Sequence, residues 1–400
     1  MKSNIKLGYD DISIVPERVT NIRHRKECTY FTDTFTLPFF TAPMDNVVNE
    51  ETANKFIDAG INVVLPRTIS FEKRLNILFN LTQISSSRFV AFSLTEIQQL
   101  FVDDLDILNL AKSKLDYENA KSIYNIRHTL LPTVFNIGKK IHVCIDIANG
   151  HMSELLDTIK KIKQFYNDKV IIMSGNIANP NTYKDYEEVG CDFVRCSIGS
   201  GSRCTTSSNV AVHYGCFSLL KEIWEIKQQI NGKCKIIADG GIKGYGDIQK
   251  ALLYADYVMI GGLFNKAIDS AGTPIYGRFY WNFFGEKILN PFKTLFYYGK
   301  KVKECDYKKV LKMVKNGKVD VWKEYYGMST KIAQSKINPG GILKTGEGKV
   351  ERQKVEYSIK QWVENEIDFL RSAMSYTNSK TLEEYKNSNW VQLTYKSYNK

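Results

Sequence analysis

Short apolar stretches, many of them β-branched, recur along the chain, and each ends in Gly, Pro or a small or polar residue before a stretch with helical spacing. Continuous apolar strands that alternate with helices predict a parallel sheet covered on both faces. Eight such units favour a closed (β/α)₈ barrel, the TIM-barrel fold, with an open doubly wound sheet as the structural alternative. The predicted strands are 39–43, 61–66, 89–94, 141–147, 170–175, 191–198, 234–240 and 257–262.

Two segments depart from this alternation. Residues 273–324 are rich in aromatic residues and lysine, and we interpret them as an insertion or lid within a single barrel domain that spans 1–400. A basic, aromatic surface can bind nucleic acid, but a small packed subdomain is the simpler interpretation, which we favour. Near the C-terminus, helical spacing predicts a helix that packs on the barrel through Ile359, Trp362, Val363, Ile367, Leu370 and Met374.

Composition narrows the class of protein. The 400 residues are 43% hydrophobic and 24% charged, which is typical of a globular chain and excludes disorder. The net charge of +12 is spread over the whole chain, which favours a solvated lysine-rich surface over a nucleic-acid site. Because there is neither a membrane-length apolar run nor the apolar centre of a signal peptide, we expect a cytoplasmic protein. The eight cysteines lack zinc or C-x-x-C spacing, which predicts reduced and mostly buried thiols.

The run 198–206, Ile-Gly-Ser-Gly-Ser-Arg-Cys-Thr-Thr, joins a glycine turn to a thiol flanked by hydroxyls. Such a loop can cradle an anion, or a cation through its carbonyls, while it presents one sulfur as a nucleophile. Barrel chemistry lies where the strands end. At these ends a carboxylate at Asp239 can accept two sugar hydroxyls, and Gly261 and Gly262 can offer amides to a phosphate. In this order, one strand apart, these residues outline a nucleotide site.

Seen together, these motifs resemble the family of inosine-monophosphate dehydrogenase and guanosine-monophosphate reductase over nearly the whole chain. The matching segments are Leu7-Gly8-Tyr9-Asp10-Asp11, Ala42-Pro43-Met44-Asp45, Asp146-Ile147-Ala148-Asn149-Gly150-His151, Ser174-Gly175-Asn176, the loop 198–206, Ala238-Asp239-Gly240-Gly241 and Tyr326-Gly327-Met328-Ser329. The resemblance implies that Cys204 attacks C2 of a purine nucleotide, and that the enzyme is a homotetramer.

The same resemblance implies three sets of binding residues. The nucleotide would be held by Met44, Ser202, Asp239, Gly241, Gly261, Gly262, Tyr325, Gly327, Met328 and Ser329. The nicotinamide cofactor would lie against Asp146, Asn149, Gly150, Asn176, Arg67 and Lys344. A monovalent cation such as potassium would bind the carbonyls of Gly199, Gly201 and Cys204.

The segment that follows Met328 separates the two activities. Dehydrogenases of the family carry there a mobile flap with an Arg-Tyr pair that activates water, whereas 331–346 contains neither Arg nor Tyr. The following Glu347-Gly348-Lys349 resembles the reductase motif, in which a glutamate and a threonine of the cysteine loop, here Thr206, protonate the departing amine. The resemblance therefore implies NADPH-dependent conversion of GMP to IMP and ammonia. The alternatives are NAD-dependent oxidation of IMP to XMP and a catalytically silent nucleotide-binding barrel.

Five features depart from the family pattern, one of which is the long insertion before Tyr325, for which we find no counterpart there. Arg203 stands where a small aliphatic residue is usual, and Lys344 stands where reductases have Arg. Gly241-Ile242-Lys243 is closer to the dehydrogenase form, and Arg67 follows Leu-Pro in place of a His-Lys pattern. We therefore expect a divergent member of the family.

Overall fold

Eight parallel strands form one sheet in the computed structural model, which describes residues 5–32, 36–80, 87–102, 123–201, 206–283, 286–343, 345–346 and 348–394. In their order around the sheet the strands are β2 Phe39–Thr41, β9 Tyr257–Ile260, β8 Lys235–Asp239, β7 Phe193–Cys196, β6 Val170–Ile177, β5 Ile141–Asp146, β4 Arg88–Phe92 and β3 Val63–Leu65. The edge strands β2 and β3 meet at a parallel bridge between Phe40 and Asn62. There the Thr41 amide donates to the Asn62 carbonyl at 2.9 Å and the Asn62 amide donates to the Phe39 carbonyl at 3.0 Å. The predicted (β/α)₈ barrel is confirmed.

All eight predicted barrel strands are present. The described α-helices are α1 Glu50–Asp58, α2 Phe71–Phe79, α3 Leu94–Phe101, α4 Leu131–Asn136, α5 Ser153–Tyr166, α6 Thr182–Glu188, α7 Thr206–Asn209, α8 Cys216–Ile230, α9 Tyr245–Ala251, α10 Gly262–Asn265, α11 Pro291–Tyr297, α12 Tyr307–Lys315, α13 Lys331–Ile337, α14 Ile359–Tyr376 and α15 Leu382–Tyr385. Within the described ranges, no helix is long and apolar enough to cross a membrane.

Aromatic side chains fill the barrel at the end where the strands begin. Phe40 packs edge-to-face against Phe89 and Phe193, with ring centroids 5.6 and 5.9 Å apart, and Tyr257 lies 5.1 Å from Phe40. These residues belong to an apolar cluster inside the barrel, whereas the helix-facing strand residues belong to a second, larger cluster. Because this end is plugged, polar chemistry is left to the opposite end, where the strands finish.

The predicted C-terminal helix is α14, and it packs on the barrel as expected. Trp362 is fully buried, with its ring 5.5 Å from Phe39 and 4.7 Å from Phe264. The helix begins at a capping box, in which Ser358 Oγ accepts from the Gln361 amide at 3.4 Å and the Gln361 side chain accepts from the Ser358 amide at 3.3 Å.

A second, antiparallel sheet has the order β11-β10-β12-β13. Its strands are β10 Ile275–Phe283, β11 Glu286–Leu289, β12 Val319–Tyr326 and β13 Val350–Lys354, while β1 Ile12–Ile14 and β14 Trp390–Gln392 form a separate two-stranded sheet. An apolar cluster of its own supports the second sheet and includes Phe279, Val310, Val319 and Val321. The role of 273–324 as an insertion or lid in a single domain stays a prediction.

The described cysteines fit the predicted reduced state. Six are buried, none of the described cysteines forms a disulfide, and Cys305 is exposed; the buried residues are Cys28, Cys144, Cys191, Cys196, Cys216 and Cys234.

Asp256 ties four elements of the barrel together. One carboxylate oxygen accepts from Lys227 Nζ at 2.7 Å and from the Ile236 amide at 2.8 Å, and the other accepts from Lys386 Nζ at 2.6 Å. Burial alone raises the pKa of Asp256, but the ammonium groups of Lys386 and Lys227 outweigh burial and hold this pKa well below its usual range. The carboxylate therefore joins β8, β9, α8 and the segment after α15.

We expect Asp256→Asn to lower the free energy of unfolding by about 3–5 kcal/mol at neutral pH, because it leaves two buried ammonium groups without their carboxylate. Since the folded-state pKa is depressed, this contribution exists above the unfolded-state value near 4 and is lost as the pH falls below it. Urea denaturation at several pH values measures both effects. Asp168→Asn removes an exposed partner of Lys140 and should leave the midpoint unchanged. Equal losses in the two variants would contradict the assignment.

Candidate functional site

A buried arginine lies where the barrel strands end. Arg195 of β7 is 6% exposed, and its Nη1 donates to Asp146 Oδ1 at 2.6 Å while its Nε donates to Asp239 Oδ2 at 2.9 Å. Burial lowers the pKa of Arg195, but the carboxylates of Asp239 and Asp146 raise it by more, so the guanidinium stays charged. The ends of β5 and β8 are thereby linked across the barrel.

Described donors orient Asp239 through one of its two carboxylate oxygens, Oδ2. Its Oδ2 also accepts from Asn176 Nδ2 at 2.7 Å, and the same nitrogen donates to the Ser197 carbonyl at 3.0 Å. No donor among the described residues forms a hydrogen bond to Oδ1 of Asp239. The carboxylate therefore has one fixed oxygen and one that can accept hydroxyls from a ligand.

The first part of the cysteine loop lies against the turn after β8. Ser197 Oγ donates to Ser200 Oγ at 2.6 Å. A methyl group on Gly240 would lie 3.3 Å from the Gly201 amide, and one on Gly241 would lie 3.2 Å from Cys216 Sγ. Both glycines have positive φ, at 113° and 76°, which a side chain disfavours. The close approach brings Gly241 beside the loop that leads to Cys204.

Several predicted residues lie outside the described part of the chain. Ser202, Cys204, Lys344 and Glu347 are among them, as is the side chain of Thr206, whose backbone begins α7. The two segments that flank Cys204 do meet, since a methyl group on Gly199 would lie 3.0 Å from the Ser207 amide. The roles of Cys204, Thr206 and Glu347 stay predictions.

Met44 and Tyr325 converge on the glycine pair after β9. A methyl group on Gly261 would lie 2.7 Å from Tyr325 Oη and 3.3 Å from Met44 Sδ. One on Gly262 would lie 3.5 Å from the Tyr325 ring. Four of the predicted nucleotide-binding residues are therefore neighbours, and glycine is needed at 261 to admit the tyrosine.

Tyr326 fastens the end of β12 to the loop after β2. Its hydroxyl donates to Asp45 Oδ2 at 2.8 Å and accepts from Lys336 Nζ at 2.7 Å, and Asn46 Nδ2 donates to its carbonyl at 2.8 Å. Lys336 also pairs with Asp45. Burial raises the pKa of Tyr326, so its hydroxyl stays protonated and keeps its bond to Asp45.

The segment 327–329 turns directly into a helix. Thr330 Oγ1 donates to the Gly327 carbonyl at 2.8 Å, and α13 follows. The chain then returns, because a methyl group on Gly346 would lie 3.4 Å from the Ser329 carbonyl oxygen. Gly327, Met328 and Ser329 thus lie between Tyr326, which contacts the barrel loop, and the residues that precede Glu347.

Four of the six predicted cofactor residues lie around the end of β5. Arg67 Nη1 donates to the Asp146 carbonyl at 3.1 Å, while Arg67 Nε is buried without a partner among the described residues. The Gly150 amide donates to the Asn176 carbonyl at 2.9 Å. Asn149 is exposed, and its side chain accepts from the His151 amide in its own turn. The structure therefore brings Arg67, Asp146, Gly150 and Asn176 together.

Arg195 is the residue that sequence reasoning missed. The sequence feature that could have revealed it is a charged residue inside the apolar run of β7. A cation in a barrel interior is tolerated only if carboxylates pair with it. No group of three or more His, Cys, Asp or Glu in the described ranges could hold a metal ion. The carbonyl site proposed for a monovalent cation needs Cys204 and stays a prediction.

Comparison with known proteins matches one protein family over nearly the whole chain. The family described as "IMP dehydrogenase / GMP reductase domain" matches residues 6–399. A GMP reductase of Buchnera aphidicola subsp. Schizaphis graminum is 30% identical over 285 residues, which cover 69% of this chain and 73% of the relative. A GMP reductase of Mycoplasma mycoides subsp. mycoides SC is 25% identical over 396 residues, with 96% and 97% coverage. One from Bacillus licheniformis is 27% identical over 284 residues, with 69% and 77% coverage.

We expect Arg195→Gln to destabilise the fold by about 3–5 kcal/mol near pH 7, because Asp146 and Asp239 then face each other without a cation. Urea denaturation measures the change. Arg25→Gln breaks an exposed pair with Asp368 and serves as the matched control. A loss no larger than that of the control would contradict the assignment.

Proposed function

We propose that this chain, which belongs to the IMP dehydrogenase / GMP reductase family, converts GMP to IMP and ammonia with NADPH as the reductant. The protein is an enzyme, an oxidoreductase of that family. The observation that carries the choice of reaction is the segment 331–346, which has neither Arg nor Tyr and leads directly to Glu347-Gly348-Lys349.

The geometry of this segment supports the choice. After Thr330 the chain forms the seven-residue helix α13, and at Gly346 it again lies beside the Ser329 carbonyl. A dehydrogenase must bring an activated water to the purine-cysteine adduct, which the family does with its Arg-Tyr flap. A reductase needs instead a proton donor for the amine, and a glutamate that follows a short return fits that need.

The proposed reaction begins when the Cys204 thiolate adds to C2 of the purine. The C2–N bond then breaks, and the amine accepts a proton from the pair Thr206 and Glu347, because an amide ion is too poor a leaving group. NADPH, when bound, supplies the hydride that replaces sulfur at C2, so the C–S bond breaks and the thiolate is regenerated. The net change replaces the 2-amino group of GMP by one hydrogen and releases ammonia.

Asp239 supports the nucleotide part of the proposal. Its Oδ2 is fixed by Arg195 and Asn176, while its Oδ1 is open to the ribose hydroxyls. Gly241 lies beside the cysteine loop, and Gly261 and Gly262 meet Tyr325, so phosphate contacts on this side agree with the expected pose. A ligand held in this way would present its base toward the loop that carries Cys204.

Arg67 supports an anionic cofactor near the end of β5. Its Nε is buried and lacks a partner among the described residues, and its Nη1 is already anchored on the Asp146 carbonyl. A guanidinium placed in this way can hold a phosphate group of NADPH. Asp146, Asn149, Gly150 and Asn176 would line the nicotinamide side. We further propose a cytoplasmic homotetramer and a potassium-class cation on the carbonyls of the cysteine loop.

A second reaction, oxidation of IMP to XMP with NAD, is favoured by one segment. Gly241-Ile242-Lys243 has the form that is closer to dehydrogenases. Lys243 is directed to Asp10, with Nζ 2.6 Å from the carboxylate, and both side chains are solvent-accessible. Since the lysine serves a surface ion pair, we rank this reaction below the reductase.

We expect purified protein to oxidise NADPH when GMP is added and to release one ammonia per NADPH consumed. The absorbance of the reduced cofactor and an ammonia assay measure this stoichiometry. A parallel mixture of IMP and NAD should show no gain of reduced cofactor. The reverse pattern would replace the reductase by the dehydrogenase, and dGMP as a third substrate tests the sugar preference.

Two variants test the residue roles. Cys204→Ala should lower kcat by about three orders of magnitude or more, because no covalent adduct can form. Glu347→Gln should lower kcat by about 10²–10⁴-fold with little change in KM, because proton transfer is lost while binding is kept. Glu364→Gln removes an exposed carboxylate of α14 and is the matched control. Normal deamination by Cys204→Ala would rule out the proposed chemistry.

A further inference from the structure

A cavity of about 600 Å³ lies on the second sheet, apart from the candidate functional site. We call it the outer groove and define it by six of its lining residues, Arg278, Tyr280, Asp320, Trp322, Arg352 and Lys354. None of these residues belongs to the predicted nucleotide or cofactor sets. The volume is within the range of small-molecule sites.

The outer groove occupies one face of β12 and β13. Side chains alternate along β12, so Val321, Lys323 and Tyr325 are buried while Trp322 is only partly covered. Trp322 pairs with Lys354 of β13 across the antiparallel ladder, and such partners project from the same face. The groove is therefore on the opposite face from Tyr325, which points to Gly261.

Aromatic side chains form one wall of the groove. The Trp322 indole lies on the backbone of β10, because a methyl group on Gly277 would lie 2.6 Å from indole Nε1. Tyr280 and the exposed Tyr298 line the same cavity. The Gly299 amide donates to the Tyr276 carbonyl at 2.8 Å and so holds the Tyr298 segment on β10. Rigid aromatic faces of this kind stack on planar bases.

Positive charge exceeds negative charge in the groove. Asp320 already accepts from Tyr280 Oη at 3.0 Å and from Lys354 Nζ at 3.2 Å. Lys354 Nζ also lies 5.0 Å from the centre of the Trp322 ring. The guanidinium groups of Arg278 and Arg352 form no ion pair with any described carboxylate, and guanidinium is the side chain best suited to grip a phosphate with two parallel hydrogen bonds.

We propose that the outer groove is a second nucleotide site that binds a purine nucleoside phosphate, with the base against Trp322 and the phosphates against Arg278 and Arg352. One cavity with one indole suits a single nucleotide, whereas a nucleic-acid strand needs a continuous basic track with successive stacking positions. The proposal does not rest on the reaction proposed above, because the groove shares no residue with that site.

Equilibrium dialysis of the full chain against GTP and against ATP tests the proposal without any measurement of activity. We expect saturable binding that Arg352→Gln and Trp322→Leu each weaken about tenfold or more. Lys312→Gln removes one charge from the exposed face of α12 and is the matched control. Asp239→Asn removes the ribose contact proposed for the candidate site, so the binding that depends on Trp322 and Arg352 should persist in that variant. Since Arg352 is exposed, its variant folds even if the tryptophan variant does not.

Three outcomes would overturn the proposal. The first is no binding of either nucleotide up to about 1 mM. The second is binding that Asp239→Asn abolishes and that the groove variants leave intact, which would place the nucleotide in the barrel. The third is a single-stranded RNA that displaces GTP and binds with a steep salt dependence, which would make the groove part of a nucleic-acid surface.

Discussion

The guanidinium of Arg195 is the constraint around which the polar end of the barrel is arranged. A charge this deeply buried is tolerated only with partners, and Asp146 and Asp239 supply them from strands on either side. The arrangement fixes the direction in which Asp239 points and leaves one of its oxygens available. At the opposite end Phe40, Phe89 and neighbouring rings pack together inside the barrel. The barrel thus has one end that packs and one end that can bind.

The second sheet completes the site from outside the barrel, and polar bonds hold it there. Buried Lys323 donates at 2.8 Å to the Ala267 and Ser270 carbonyls and to Ser270 Oγ. Burial lowers the pKa of Lys323 to about 7, and the three acceptors are what make an ammonium tolerable at this position. Two residues further along β12, Tyr325 reaches Gly261, and Tyr326 reaches Asp45. β12 therefore carries both Lys323, which anchors the second sheet, and the two tyrosines that this anchoring positions.

Sequence alone predicted the barrel because its strands are apolar on both faces and end in glycine or polar residues, a pattern that local composition reveals. The same reasoning missed Arg195, because its role depends on carboxylates from two other strands. It also missed the second sheet. The β13 sequence Val-Glu-Arg-Gln-Lys is almost wholly polar, and it forms a strand through its pairing with β12 rather than through its own apolar residues. The cysteine loop was recognised by its residue types, which needs no knowledge of geometry.

The antiparallel pairing of β10 and β12 sets where this chain can change its length. Ile275 lies opposite Trp322 and Phe279 lies opposite Val319, so the connection from β10 to β12 leaves and re-enters at one end of the pair. Residues can be gained or lost there without moving Tyr325 relative to Gly261. A single residue added between Val319 and Tyr325 would instead turn the tyrosine to the outer face and bring a neighbour toward the barrel. Insertions and deletions should accordingly accumulate beyond Phe283 and be excluded from β12.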